Sequence, residues 1–181
     1  MRYVALLRGI NVGGHKIIPM ARLRSIFESS GFANVTTYIQ SGNVLFDSTL
    51  RTSKSVRTKV ESMLRHAFSY DIVTMVRMPM EMKKIVAGNP FTAIHAQGKT
   101  KCYVAFLEAT PAKQERESVL ELQRKGMSLH FGKCELYILL DAKFTGSNSP
   151  FSNSNVEKIL RQRSTVRNWA TTCRLLDMSS S

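Results

Sequence analysis

The chain has 181 residues, of which 43% are hydrophobic and 22% are charged, so it is long enough and apolar enough to bury a core. It carries 26 Lys and Arg against 13 Asp and Glu, and the resulting net charge of +13 favours anionic partners. Its three cysteines lack metal-binding spacing, and we find no signal peptide or apolar run of membrane-spanning length, so we expect a cytoplasmic protein without membrane partners.

The first 78 residues alternate between strand-like and helix-like segments. Strands are predicted over 3–7, 35–40, 44–47 and 72–76. Pro19 suits the first turn of a helix that ends at Gly31, and apolar residues at the helical period predict a second helix over 52–68. The order βαββαβ is typical of the ferredoxin-like fold.

Residues 79–181 repeat part of this order. Strands are predicted over 103–107, 128–131 and 135–140, and helices over 79–87, 111–125 and 156–163. The final element differs, because apolar residues at helical spacing predict a helix over 166–177 where a last strand would be expected. We therefore predict an α+β chain of two tandem ferredoxin-like (βαββαβ) subdomains with antiparallel sheets, residues 1–78 and residues 79–181, the second ending in a helix. Element order alone supports this duplication.

Two glycine-containing loops are predicted to meet at one end of the first sheet. In a βαββαβ unit the first strand runs antiparallel to the third, so it ends where the second strand turns into the third. The second half has no Gly-Gly loop at the corresponding end. The candidate anion-binding residues that this argument brings together are Arg8, Asn11, Gly13, Gly14, His15, Lys16, Ser41, Gly42 and Asn43.

The chemistry predicted for this end of the sheet is anion binding. A glycine loop before a helix can direct backbone N–H groups at an anion, and basic side chains add charge. Known nucleotide motifs do not fit, because His15 stands at the lysine position of a Walker A spacing and no GxGxxG occurs. The alternative is that the glycines only form tight turns and the polar side chains satisfy loop backbone.

Four ordered segments carry a resemblance to a known family. They are RGINVGG (8–14), TYIQSGNVLF (37–46), NPF (89–91) and TVRNW (165–169). Together they resemble the signature segments of the bacterial domain-of-unknown-function 1697 family. The resemblance implies an α+β chain of two ferredoxin-like subdomains, and it implies no established activity, catalytic residues or cofactor.

A second group of candidates lies near the C-terminus. Ser164 and Thr165 read as a helix N-cap, which would place Arg167 and Asn168 in the first helical turn. A cation is unfavourable at that end of the helix dipole, so Arg167 is a candidate for contacting a partner or an acidic group. The alternative is a local structural bond, for instance to a backbone carbonyl.

Three classes of function follow from these observations. The leading hypothesis is a small binding protein for an anionic ligand, either nucleic acid or a phosphorylated small molecule, at the Gly-rich basic loop. The second is an enzyme acting on a phosphate- or carboxylate-bearing substrate at the same pocket, with His15 or Arg8 assisting. The third is a structural or regulatory interaction module. The histidines lack metal-binding spacing, so neither a metal nor a cofactor is predicted.

Overall fold

The computed structural model describes residues 1–12, 17–144 and 148–180, and it has a mixed α+β fold with two four-stranded antiparallel sheets. The elements are β1 (Arg2–Leu7), α1 (Met20–Ser29), β2 (Ala33–Tyr38), β3 (Asn43–Asp47), α2 (Ser53–Phe68), β4 (Thr74–Arg77), α3 (Pro79–Ala87), α4 (Thr92–His95), β5 (Thr100–Leu107), α5 (Lys113–Leu120), β6 (Met127–Phe131), β7 (Glu135–Asp141), α6 (Asn153–Leu160), β8 (Ser164–Asn168) and α7 (Trp169–Ser180). In the described residues, no helix has the length and apolar character needed to cross a bilayer.

Internal contacts divide the chain into two compact units. Unit 1 comprises Met1–Lys83 together with the segment from Arg174 onward, and unit 2 comprises Lys84–Cys173. The sequence placed the division between residues 78 and 79 and assigned the whole C-terminal helix to the second half. The observed divisions instead fall within two helices, between Lys83 and Lys84 in α3 and between Cys173 and Arg174 in α7.

The predicted helix over 166–177 is wrong at its start. Ser164–Asn168 forms β8, which pairs antiparallel with β5, and the helix begins only at Trp169. Ser164 and Thr165 therefore do not cap a helix. The helical period of the apolar residues led the prediction too far towards the N-terminus, because Val166 continues that spacing while lying opposite Ala105 in the sheet. Unit 2 consequently has its fourth strand and then a helix.

In unit 1 the strand order is β2-β3-β1-β4, so β1 is central. Alternate residues of β1, such as Tyr3 and Leu7, face a core formed with α1 and α2. Phe46 of β3 fills this core against Phe27 and Phe32, with ring centroids 5.1 and 4.6 Å apart respectively. The opposite face of the sheet is buried as well, and burial on both faces explains the unbroken apolar run of β1.

Unit 2 has the equivalent strand order, β6-β7-β5-β8, and it repeats the pairing register of unit 1. Val4 lies opposite Arg77, and Val104 lies opposite Arg167. Aligned on this register, Tyr-Val-Ala-Leu-Leu at 3–7 matches Tyr-Val-Ala-Phe-Leu at 103–107. The sequence therefore contains a residue-level repeat, which element order alone did not reveal because the connections between the matching strands differ in length.

The last turn of α3 and the segment that follows it contact the strands β5 and β7 of unit 2. The buried Tyr137 hydroxyl donates to the Ile85 carbonyl at 2.8 Å. The Asn89 Nδ2 donates to the Cys102 sulfur at 3.4 Å, and the Asn89 Oδ1 accepts from the Phe91 backbone N–H at 2.9 Å. Burial raises the pKa of both the Cys102 thiol and the Tyr137 phenol, so both groups stay neutral at physiological pH. The Asn-Pro-Phe motif thus has a structural role here.

We predict that Tyr137→Phe lowers the free energy of unfolding of unit 2 by about 1–3 kcal/mol, because it leaves the buried Ile85 carbonyl without its donor. Urea unfolding followed by the fluorescence of Trp169, the single tryptophan, measures this change. Tyr103→Phe is the matched control, since no described residue hydrogen-bonds to that hydroxyl, and its effect should stay within about 0.5 kcal/mol. Equal losses in both variants would contradict a specific role for the Tyr137 bond.

Candidate functional site

The end of β1 lies beside the β2–β3 turn, as the strand order requires. The Leu7 backbone N–H donates to the Gly42 carbonyl at 2.8 Å. Gly42 has a φ of 73°, and a Cβ added there would come within 2.9 Å of both the Leu7 Cβ and the Ile10 side chain. Glycine is therefore needed both for the backbone conformation and for the close approach. We call the two segments that meet here, 8–12 and 39–42, the paired loops.

A single carboxamide, that of Asn11, joins three segments at this end of the sheet. Its Nδ2 donates to the Gln40 carbonyl at 2.9 Å and to the Ile18 carbonyl at 3.0 Å. Its Oδ1 accepts from the Ile18 backbone N–H at 2.7 Å. Asn11 adopts a φ of 55°, a left-handed conformation that asparagine tolerates better than most residues. Its side chain is thus used to connect the paired loops to the segment entering α1.

Asn43 also has an internal role. It is fully buried at the start of β3, and its Nδ2 donates to the Tyr38 carbonyl at 3.0 Å and to the Ser41 hydroxyl at 2.9 Å. These bonds hold the β2–β3 turn closed from inside. Of the polar candidates, Asn11 and Asn43 therefore shape the loops, whereas the half-buried Ser41 lies nearer to solvent.

The basic candidates are only partly described. Arg8 follows β1, its backbone N–H donates to the Val73 carbonyl at 2.9 Å, and its side chain is half-buried. The candidate residues Gly13, Gly14, His15 and Lys16 lie outside the described residues. The structure therefore places Arg8 and Asn11 beside the β2–β3 turn.

The helix that follows the paired loops has a start that suits an anion. The residue preceding α1 is Pro19, which has no side chain able to cap the helix, and the first turn contains no acidic residue. Exposed Arg22 and Arg24 lie on the first turns of α1, although Arg24 is paired with Glu28 at 2.9 Å. The positive end of the helix dipole is thus not offset by a carboxylate in its first turn.

The corresponding end of the unit 2 sheet differs in charge. There the Leu107 N–H donates to the Cys134 carbonyl at 3.0 Å, which repeats the bond between Leu7 and Gly42. The strand β7, however, starts with Glu135, whose buried carboxylate accepts from the Lys133 and Cys134 N–H groups, both at 3.0 Å. Unit 2 supplies an internal anion to its turn, whereas unit 1 has the neutral Asn43 at the matching position.

The structure corrects the placement of Arg167 and Asn168. Both lie in β8 rather than in a first helical turn, because β8 completes the sheet by pairing with β5. Arg167 is buried, and its guanidinium donates to the Thr165 hydroxyl at 2.8 Å and to the Val166 carbonyl at 2.9 Å. Burial lowers its pKa to about 10, so it remains charged at neutral pH. It belongs to unit 2, whereas the paired loops belong to unit 1.

Asn168 serves as the cap of α7. Its Oδ1 accepts from the Thr171 N–H at 2.8 Å, and its backbone carbonyl accepts from the Thr172 hydroxyl at 3.0 Å. A capping asparagine at the strand-to-helix junction explains why the strand ends and the helix begins at this residue. The local bonds of Arg167 match the structural alternative considered for that residue, and Asn168 has a capping role that was not predicted.

One buried cation went unnoticed in the sequence. Arg77 of β4 is buried, lies at the register position of Arg167, and donates to the Val76 carbonyl at 3.0 Å. The signal that could have revealed it is the Val-Arg dipeptide that recurs at 76–77 and 166–167. No group of His, Cys, Asp or Glu side chains suited to a metal ion occurs within residues 1–12, 17–144 and 148–180.

We predict that Gly42→Ala destabilises unit 1 by about 2–4 kcal/mol, because the added methyl group meets both Leu7 and Ile10 in a left-handed backbone conformation. Gly9→Ala is the matched control in the partner loop. Its φ of 66° carries the same backbone strain, but nothing lies within 4 Å of the added Cβ, so a loss of about 1–2 kcal/mol is expected. Urea unfolding monitored by far-UV circular dichroism compares the two, and equal losses would contradict close packing of the paired loops.

Comparisons with known proteins identify a similar structure and a family. The conserved bacterial protein SP0830 from Streptococcus pneumoniae has a similar structure, with a TM-score of 0.81 and 25% sequence identity over 98% of each chain. No curated protein matches the chain. The family described as "Protein of unknown function (DUF1697)" matches residues 1–137, which include the paired loops and the Asn-Pro-Phe segment. The chain therefore belongs to this family.

Proposed function

We propose that the paired loops of unit 1 bind a phosphate-bearing ligand, either a nucleic acid backbone or a phosphorylated small molecule. The observation that carries this proposal is the junction made by Asn11, which joins both loops to the segment entering α1. The junction brings Arg8 and the acid-free first turn of α1 to the same end of the sheet as the β2–β3 turn. Helix N-termini of this kind favour anions.

The charge distribution supports the same proposal. Residues 1–83, which form most of unit 1, hold 12 Lys and Arg against 5 Asp and Glu, so this segment contributes +7 to the net charge of +13. A field of this sign accelerates the approach of polyanions and strengthens their binding at low salt. The matching turn of unit 2 already holds the carboxylate of Glu135, which makes unit 1 the favoured location.

Binding is favoured over turnover by the character of the side chains at the turn. The Ser41 hydroxyl accepts a hydrogen bond from the Asn43 amide, and a carboxamide does not act as a general base. The neighbouring contacts are amide-to-carbonyl bonds that stabilise a loop conformation. An enzyme at the same pocket remains the second hypothesis, and a purely structural module remains the third.

We also propose that both units have the ferredoxin-like fold. The support is the order βαββαβ of the elements from β1 to β4, together with the strand order β2-β3-β1-β4 and its equivalent in unit 2. The assignment matters for function because this topology is what brings the end of the first strand to the turn between the second and third.

The test is a fluorescence anisotropy titration of the full chain with labelled single-stranded RNA and double-stranded DNA at about 50 and about 200 mM salt. We expect binding at the lower salt that weakens at the higher salt. Arg8→Ala should weaken binding by about 5-fold. It should also reduce the slope of log affinity against log salt concentration by about 1, which corresponds to the loss of one phosphate contact. A parallel NMR titration with inorganic pyrophosphate, followed at the Gly9 and Gly42 amides, tests the small-molecule version.

The control variant is Arg51→Ala. Arg51 is exposed in unit 1 and follows β3, at the end of the sheet opposite the paired loops. The substitution therefore removes one positive charge, as Arg8→Ala does, without changing the proposed site. Equal losses for Arg8→Ala and Arg51→Ala would indicate general electrostatic attraction and contradict a site at the loops. The absence of any response to RNA, DNA and pyrophosphate at low salt would overturn the proposal.

A further inference from the structure

Unit 2 contains a cavity of ≈ 420 Å³ on the core-facing side of its sheet. Its floor is formed by side chains of three adjacent strands, Tyr103 of β5, Leu140 of β7 and Val166 of β8. These residues lie on the core-facing side of the sheet, so the cavity continues the hydrophobic core towards solvent. The volume falls within the range that small-molecule sites in proteins occupy.

Aromatic side chains make up much of the wall. Phe144 follows β7 and Phe151 precedes α6, and both pack against the core while lining the cavity, as does Tyr103 in the floor. Three rings around one small cavity offer the faces and edges on which a planar ring stacks favourably. An aliphatic ligand of the same volume would not gain this contribution.

The polar groups in the cavity include one cation, the ammonium of Lys101. The Lys101 ammonium is half-buried and donates to the Phe144 carbonyl at 2.9 Å, which holds it at the wall and leaves two of its three N–H groups for other acceptors. No described residue hydrogen-bonds to the Tyr103 hydroxyl. Asn153 and Ser149 contribute an amide and a hydroxyl, and no Asp or Glu of the described residues lines the cavity.

We propose that this cavity binds a small planar aromatic anion, with the ring system between Tyr103, Phe144 and Phe151 and the anionic group at Lys101. The ring follows from the aromatic walls, and the negative charge follows from a half-buried ammonium that no carboxylate among the lining residues neutralises. The cavity lies wholly in unit 2 and does not rest on the paired loops of unit 1.

The experiment uses the full chain and two probes of matched shape, 1-naphthoate and the uncharged 1-naphthalenemethanol. Isothermal calorimetry measures both affinities, and NMR locates the site through the backbone amides of Lys101, Tyr103 and Leu140. We expect 1-naphthoate to bind about 10-fold more tightly than the alcohol, because only the carboxylate pairs with the ammonium.

The variant that tests the charge is Lys101→Met. It should reduce 1-naphthoate affinity by about 10-fold and leave that of 1-naphthalenemethanol nearly unchanged, whereas a merely structural loss would weaken both. Lys101→Arg should restore most of the preference for the anion. The matched control is Lys99→Met, because Lys99 is exposed just before β5 and outside the cavity, and its affinities should equal those of the unchanged chain.

Filling the cavity provides a second, independent test. Ser149→Trp adds a bulky ring from the connection between β7 and α6, outside the sheet, and should abolish binding of both probes. The urea midpoint should change little, because the hydrogen bonds of Ser149 that the substitution removes are local ones to Phe151. Binding that survives Ser149→Trp, or amide shifts confined to unit 1, would overturn the proposal. So would equal affinities for the two probes, or failure of both probes to bind at millimolar concentration.

Discussion

The constraint on which both halves of this protein depend is the antiparallel pairing of one central strand with two neighbours. In unit 1 that strand is β1, paired with β3 and β4, and in unit 2 it is β5, paired with β7 and β8. Because each central strand is buried on both faces, its register cannot slip by one residue without exchanging the side chains of the two faces. The same register also aligns two buried arginines, Arg77 and Arg167, opposite equivalent valines.

The two units share this strand arrangement but differ in the polar side chain that stabilises the turn between their second and third strands. Unit 1 closes its turn with the amide of Asn43 and joins the turn to the next loop through Asn11, whereas unit 2 uses the carboxylate of Glu135. An internal carboxylate satisfies backbone donors and offsets positive charge, while an amide satisfies hydrogen bonds without offsetting charge. Because unit 1 has an amide where unit 2 has a carboxylate, we place the proposed anion site in unit 1. The cavity proposed in unit 2 lies elsewhere in that unit and is a separate site.

Most of the elements could be predicted from the sequence, and the failures have specific physical causes. Strands with uninterrupted apolar runs and the helix α2 were predicted close to their observed limits, because burial periodicity is a local property. The strand β8 was not predicted, because the apolar residues in this segment have a helical spacing. The segment forms a strand because it pairs with β5, which is distant in sequence. The helix after Pro111 was predicted to reach residue 125 but ends at Leu120, where the segment turns back towards β6. For the site, the strand order was enough to predict that Arg8 and Ser41 lie at the same end of the sheet. The hydrogen bonds that Asn11 and Asn43 make to the loop backbone could not be predicted, because their partners depend on the folded conformation of the loops.

By itself the sequence determined the α+β class, the family resemblance, the excess of positive charge and the adjacency of the two loops. These properties follow from composition, from periodicity and from the connectivity of antiparallel strands. Only the tertiary structure decided which polar side chains form hydrogen bonds within the protein, because acceptors that are distant in sequence compete for the same donors. The cavity at Lys101 likewise exists only in the folded chain, because its lining comes from β5, β7 and β8, from the connection between β7 and α6, and from the first residue of α6.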